Sequence, residues 1–325
     1  MKRALFSSRG SIAIAALWVL VILSFLAIGL AESVRQKITV AEGLRARQEL
    51  RLAAGAAVRK VIADIQGSPA SGLATGKEWY AGIFGRALNF STGEAEAEFT
   101  IEDENSKVNL NTATLDELAN LFEYAARLGS DEATRLAGEV IDYRDEDDYV
   151  TGDGKDGGSE KGAYRQAGLP YGPKNRDFEF IEELLQVKGM TKEIYSFVES
   201  YITIYGNGRL DVNTCSRESL LAIGLLPSLA DKIIAVREGS GENGPPSGTV
   251  VFPEAVKIEE IISTHYKMSP EERQSLLHAL TQDELDVVSG TFRILGRTRV
   301  PRTGAIGHFV CVYASRTGIR YWAES

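Results

Sequence analysis

Apolar residues run without a charge from Ser11 to Ala31 (SIAIAALWVLVILSFLAIGLA). At ~1.5 Å per residue, a helix of that length reaches roughly 30 Å, the hydrocarbon thickness of a bilayer. Residues 11–31 therefore predict one membrane crossing. The helical pattern continues beyond it: from Glu32 to Ile65 there is no proline, and Leu50, Ala54, Ala57, Val58, Val61 and Ile65 recur at three- and four-residue spacing. That spacing makes a one-sided stripe, as on a helix that packs along one face. Gly67-Ser68-Pro69 ends it.

The period then changes from helical to alternating. In Glu94 to Glu102, Ala97, Phe99 and Ile101 fall on one face and glutamates on the other, the pattern of a half-buried antiparallel strand. The same alternation returns in Thr291 to Leu295, His308 to Ala314 and Ile319 to Trp322, punctuated by Pro301-Arg302-Thr303-Gly304 and Thr317-Gly318. Strands on both sides of a long helical stretch predict an α+β fold in which a helical block interrupts a sheet.

That block, Asn105 to Leu285, contains an internal echo. Leu110-Asn111-Thr112-Ala113-Thr114 lines up with Val212-Asn213-Thr214-Cys215-Ser216. Each copy offers Asn-Thr, a hydroxyl residue able to cap a helix, and an acidic residue in the following turn. Both copies close on a helix ending in arginine, predicted over Ala137 to Arg144 and Ala230 to Arg237. Phe180 to Thr191 reads as a helix, a turn at Gly189 and a new helix start. Such helical hairpins resemble helix-hairpin-helix and SAM-like modules.

The leader MKRALFSSRG places Lys2, Arg3 and Arg9 before the apolar run. Basic residues stay on the cytoplasmic side, which puts the long remainder across the membrane. A secretory signal would have a shorter apolar core with its small-residue cleavage site behind it; here the small residue beside basic ones, Gly10, comes first. The formal charge of −9 becomes −12 if the three basic residues of the leader are removed. An acidic chain of this kind disfavours a nucleic-acid partner and suits divalent cations. Cys215 and Cys311 lie far apart and read as two small buried hydrophobes.

The densest chemistry is Asp142 to Glu160 (DYRDEDDYVTGDGKDGGSE), with eight carboxylates against Arg144 and Lys155. Hard oxygen ligands in a Gly-rich loop suit Ca²⁺, but EF-hand spacing is not met. The bare pattern fits a solvated acidic loop equally well. Catalysis has no comparable signal. His265, His278 and His308 are scattered, no nucleophile elbow or P-loop is present, and nothing apolar beside the acidic loop suggests a carboxyl with a raised pKa. The chain reads as a non-enzyme.

Arg9, Gly10 and Ser11-Ile12-Ala13-Ile14-Ala15 resemble the class III leader of type IV prepilins and type II secretion pseudopilins. The resemblance implies cleavage between Gly10 and Ser11 by a prepilin peptidase, with methylation. A major subunit of this class carries Glu as its fifth mature residue; here that position is Ala15. The subunit lacking it belongs to the general secretion pathway protein K family, the minor pseudopilin K of type II secretion. Asp145, Asp147, Glu160, Tyr164, Tyr171 and Asn175, with Asn111-Thr112 upstream and Glu183, Val187 and Gly189 downstream, resemble that family's recurring positions. The resemblance implies a structural Ca²⁺ held by Asp145, Asp147, Glu160 and Asn175.

It also implies a domain plan: leader 1–10, transmembrane segment 11–31, a pilin-like α/β domain with an antiparallel sheet from 32–104 and 286–325, and an inserted α-domain at 105–285 with SAM-like and helix-hairpin-helix modules. The implied role is at the tip of a periplasmic pseudopilus that supports protein export across the outer membrane. There the chain, anchored by a single pass in the bacterial inner membrane, would join I- and J-type minor pseudopilins through the helix from Leu50 to Ile65. The alternative is a membrane-anchored helix-hairpin-helix protein for DNA binding or uptake. Lys188-Gly189-Met190-Thr191 and Leu226-Pro227-Ser228-Leu229 both lack the second glycine of the phosphate-gripping hairpin.

Overall fold

A single helix carries the chain out of its apolar run and into its sheet. The computed structural model describes residues 8–67, 83–151, 159–239 and 250–325. Helix α1 spans Ser8–Gly67, about 90 Å of rise. Among the described residues it is the one helix long and apolar enough to cross a membrane. Its large side chains from Ile12 to Leu44 are exposed, whereas Ala53, Ala54, Ala57, Val58, Val61 and Ile65 are buried. The alanines let the helix lie close on the sheet, where Ala54, Ala57, Val58, Val61 and Ile65 share a core with Phe99, Phe292, Phe309 and Cys311. The apolar face of Leu50 to Ile65 is thus covered by the chain's own sheet, which leaves the helix's other face for the expected assembly contact. Arg51, Leu52, Arg59 and Lys60 stay exposed on the other side.

Two strands follow, β1 (Leu88–Ser91) and β2 (Glu96–Asp103), which buries every second residue. The predicted inward face of Ala97, Phe99 and Ile101 is present, and Asp103 continues it as a buried carboxylate. The chain then enters the helical block, built from two similar modules. The first holds β3 (Val108–Asn109), α2 (Leu115–Ala125), α3 (Ser130–Arg144), α4 (Glu160–Gln166), α5 (Lys192–Val198) and β4 (Ile202–Thr203). The second holds β5 (Leu210–Asp211), α6 (Arg217–Ala222), α7 (Pro227–Glu238), α8 (Ile258–His265), α9 (Pro270–Thr281) and β6 (Leu285–Asp286). In each, the first short strand pairs in parallel with the last, β3 with β4 and β5 with β6, and the helices enclose a separate apolar core.

The sequence echo is repeated in the hydrogen bonds. Thr114 and Ser216 cap α2 and α6 through their side-chain oxygens. The Asn111 amide donates to the Phe178 carbonyl and accepts from the Phe178 N–H; Asn213 does the same with Phe252. The Arg144 guanidinium donates to the carbonyls of Leu110 and Ala113, and Arg237 donates to those of Val212 and Cys215. The helices ending in these arginines start earlier than predicted. Pro227 supplies the first residue of α7, where its fixed φ suits a helix start and its missing N–H is not needed. The helix predicted from Phe180 is a 3-10 turn over Ile181–Gln186, followed by Gly189 at φ 85°.

The chain returns as β7 (Thr291–Val300), β8 (Ala305–Ala314) and β9 (Gly318–Glu324). All three outrun their predicted limits, because ladder pairing extends each strand to its turn. The sheet order is β1-β2-β7-β8-β9, antiparallel throughout. The expected α+β class, with its long apolar helix, antiparallel sheet and helical part, is the observed one. Cys215 and Cys311 are unpaired and buried, one in the second module's core and one under the sheet. Burial pushes both thiols up, to about 12 and about 11.

Candidate functional site

The carboxylate cluster forms where α3 ends. Asp142 lies in its last turn, and Asp145 is the C-cap, its N–H bonded to the Ile141 carbonyl. A spacing of three residues brings both side chains to one side of the helix. Glu160 opens α4, which Ser159 caps. One carboxylate oxygen from each of Asp142, Asp145 and Glu160 lies within 4.8 Å of the others. Asp142 and Glu160 are buried, at 2 % and 1 % exposure.

The surrounding chain fixes this geometry. Asp142 Oδ1 accepts from the Thr151 N–H at 2.8 Å. Asp148 accepts from the Ser159 hydroxyl at 2.9 Å and from the Lys161 N–H, closing the two ends of the loop over an isolated bridge between Tyr149 and Ser159. The Gly-rich stretch of the loop, 152–158, lies outside the described residues. Asn175, with φ 52°, donates its backbone N–H to the Tyr143 carbonyl at 2.9 Å. Its side-chain amide donates to the Asp147 carbonyl and reaches Glu160 Oε2 at 3.5 Å. Beneath the cluster, Tyr143 stacks on Phe178, and the buried Tyr164 hydroxyl accepts from the Lys188 N–H.

Electrostatically the cluster is short of positive charge. Among the described residues none of its three carboxylates makes an ion pair, and Asp145 Oδ1 and Glu160 Oε1 are buried without a hydrogen-bond donor. Unpaired buried charge is costly. Burial, then the neighbouring Asp142, Asp145, Asp147 and Asp148, push Glu160 up to about 8. Burial first, with like charges adding, also raises Asp142 and Asp145. This runs against the expectation that nothing here suggests a carboxyl with a raised pKa; the burial comes from tertiary packing, absent from any reading of the loop alone. A proton or a cation relieves such a site. Three converging carboxylates, two of them with donor-less oxygens, fit a hard divalent ion that takes oxygen ligands.

Of the residues expected to hold a metal, Asp145 and Glu160 come together. Asp147 turns its carboxylate to the Tyr149 N–H at 2.8 Å, and Asn175 spends its amide hydrogens on Asp147 and Glu160. Both brace the loop. Asp142 was missed; its three-residue spacing from Asp145 at the foot of a helix was the available signal. Gly10 and Ser11 lie at the start of α1. At the candidate phosphate hairpins, Lys188 is held by Glu139 at 2.6 Å, and the Leu226 N–H donates to the Ser275 hydroxyl.

No curated relative matches the chain. Residues 99–207, which include the first module and the carboxylate cluster, match the family model for type II secretion system (T2SS), protein K. The expected resemblance holds there. The fold is similar to a chain in the crystal structure of the GspK-GspI-GspJ complex from the enterotoxigenic Escherichia coli type 2 secretion system, at 15% identity and a TM-score of 0.55, over 74% of this chain and 83% of that one.

Proposed function

We propose that this chain, whose residues 99–207 match the protein K family model, is a minor pseudopilin that stands at the tip of a periplasmic pseudopilus and supports protein export across the outer membrane. The observation that carries the reading is α1: an apolar stem exposed from Ile12 to Leu44 and clamped into a sheet only beyond it. A helix of that design can sit in a bilayer and later pack against other stems. The role is structural rather than enzymatic.

Processing by prepilin peptidase between Gly10 and Ser11 frees the stem, and methylation follows. Before assembly the chain sits in the inner membrane by a single pass, its bulk in the periplasm. The similar structure is a complex of GspK with GspI and GspJ, which supports I- and J-type minor pseudopilins as the partners here. With the inner face of Leu50 to Ile65 buried, the exposed stem up to Leu44 and the outer face of the helix beyond it are the surfaces proposed for them. The helical block, proposed as an inserted α-domain at 105–285, stands over the sheet and hinders a subunit from adding above it. Co-purification of the full chain with its host's I- and J-type pseudopilins is the expected result; amino-terminal sequencing of membrane-extracted protein should begin at Ser11. Recovery of unprocessed chain without either partner overturns the proposal.

Ca²⁺ is the proposed structural ion, held by Asp142, Asp145 and Glu160 with Asp147 and Asn175 bracing the loop. Bound there, it would neutralise two buried carboxylates and a half-buried one and tie the start of α4 to the end of α3. The nucleic-acid alternative requires free cations and free backbone N–H groups at the hairpins, and a salt-dependent gel shift would restore it.

A further inference from the structure

A cleft of about 840 Å³ opens between the β8–β9 turn and the segments that join the two modules to the sheet. Three arginines line it: Arg209, Arg316 and Arg320. Arg209 is neutralised by Asp283 and, at 3.6 Å, by Asp286. Arg316 and Arg320 are exposed and, among the described residues, make no hydrogen bond or ion pair. In a chain of formal charge −9, two uncompensated guanidiniums in one concave site are a local reversal of sign.

The fold puts them there. Opposite β8, Tyr321 pairs with Val312 and Ile319 with Tyr313, leaving Arg320 as the extra residue of a bulge. A bulge re-aims the side chain at its extra residue, and Arg320 lines the cleft together with Arg316 of the adjoining turn. β9 is also the last strand of the sheet. His308 and Ser325 exchange both backbone hydrogen bonds, at 2.9 and 3.0 Å, so antiparallel alternation turns the N–H and C=O groups of Trp322 and Glu324 outward.

We propose that this cleft and the adjoining β9 edge bind an extended acidic peptide segment of a partner protein, its carboxylates on Arg316 and Arg320 and its backbone along β9. Charge complementarity selects the carboxylates, which guanidinium forks bind in bidentate fashion. The open edge selects a peptide over a bare polyanion, because only a peptide supplies backbone donors and acceptors for strand addition. The proposal does not depend on the tip assignment or on the Ca²⁺ site.

The test uses the full chain in non-ionic detergent and a short fluorescein-labelled peptide alternating glutamate and valine, read by anisotropy. The expected result is saturable binding that weakens at least about tenfold for the glutamine isostere and for the R316Q/R320Q variant. N-methylation of alternate peptide nitrogens should weaken it comparably, and the variant should keep the wild-type melting temperature. Equal binding by variant and wild type, or no binding to either, overturns the proposal. So does competition by inorganic tripolyphosphate with no effect of N-methylation, which would make the cleft a simple anion site.

Discussion

Asp103 and Asp211 meet across the hydroxyl of Ser289, which lies 2.9 Å from Asp211 Oδ2 and also bonds Asp103 Oδ2. One hydroxyl hydrogen cannot serve two ionised carboxylates, so the arrangement is complete when the pair carries a proton. Asp103 ends β2 and Asp211 opens the second module, and the Thr214 hydroxyl also donates to Asp103. The contact therefore joins the sheet to the helical block.

Burial, and then the charge of Asp211, raise Asp103 to about 8, against about 3.9 in an unfolded chain. The folded state thus binds the extra proton between those values, and stability is greatest at the acid end and falls as pH rises through about 8. The melting temperature at pH 9 should lie below that at pH 6. Asp103→Asn should reduce the difference, to which Asp103 contributes on the order of a few kcal/mol. An unchanged slope in the variant would remove Asp103 as its source.

The carboxylate cluster predicts a response to cation. Ca²⁺ at ~100-fold above its dissociation constant should stabilise the fold by about 2–3 kcal/mol, read as a rise in melting temperature that EDTA reverses. Glu160→Gln and Asp142→Asn should each abolish the rise. Asp147→Asn should weaken it less, since Asp147 braces the loop through its carbonyl and a turn. The Asp142 result tests a ligand that the folded chain adds to the set.

Arg237→Met should destabilise the second module by about 1–3 kcal/mol, because the carbonyls of Val212 and Cys215 lose a charged donor. Arg237→Lys should recover part of it, since Nη1 of Arg237 alone donates to both carbonyls and an ammonium also offers several donors from one nitrogen. Arg144 divides the equivalent pair between Nη1 and Nη2, so Arg144→Met should cost a similar amount and Arg144→Lys should recover less, an ammonium lacking that fork. Denaturant unfolding of the single variants checks both.

Gly296 sits mid-strand in β7 between Phe99 and Phe309. A Cβ there would stand 2.6 Å from the Phe309 ring and 2.7 Å from Phe99 Cβ, closer than packed atoms allow. Gly296→Ala should therefore cost about 1–3 kcal/mol through overpacking, whereas the same change at the open Gly43 should stabilise or leave the helix unchanged. Thermal melts of both variants make the comparison.

Much of this protein was set by local sequence. The apolar run, the alternation around Phe99 and the caps at Thr114 and Ser216 are short-range signals, since helix period, strand period and capping depend on residues within one or two turns. The echo of Asn111 in Asn213 was equally visible, because each copy folds with its own neighbours. Tertiary structure decided what those signals meet. It covered the Leu50 to Ile65 stripe with the sheet, brought Asp142 beside Glu160, set Asp103 against Asp211 and turned Arg320 into a cleft. Each depends on residues far apart in the chain, or on a bulge set by a neighbouring strand. Burial, which raises a carboxyl's pKa or hides an apolar face, is a property of the packed chain and is written in no single stretch of it.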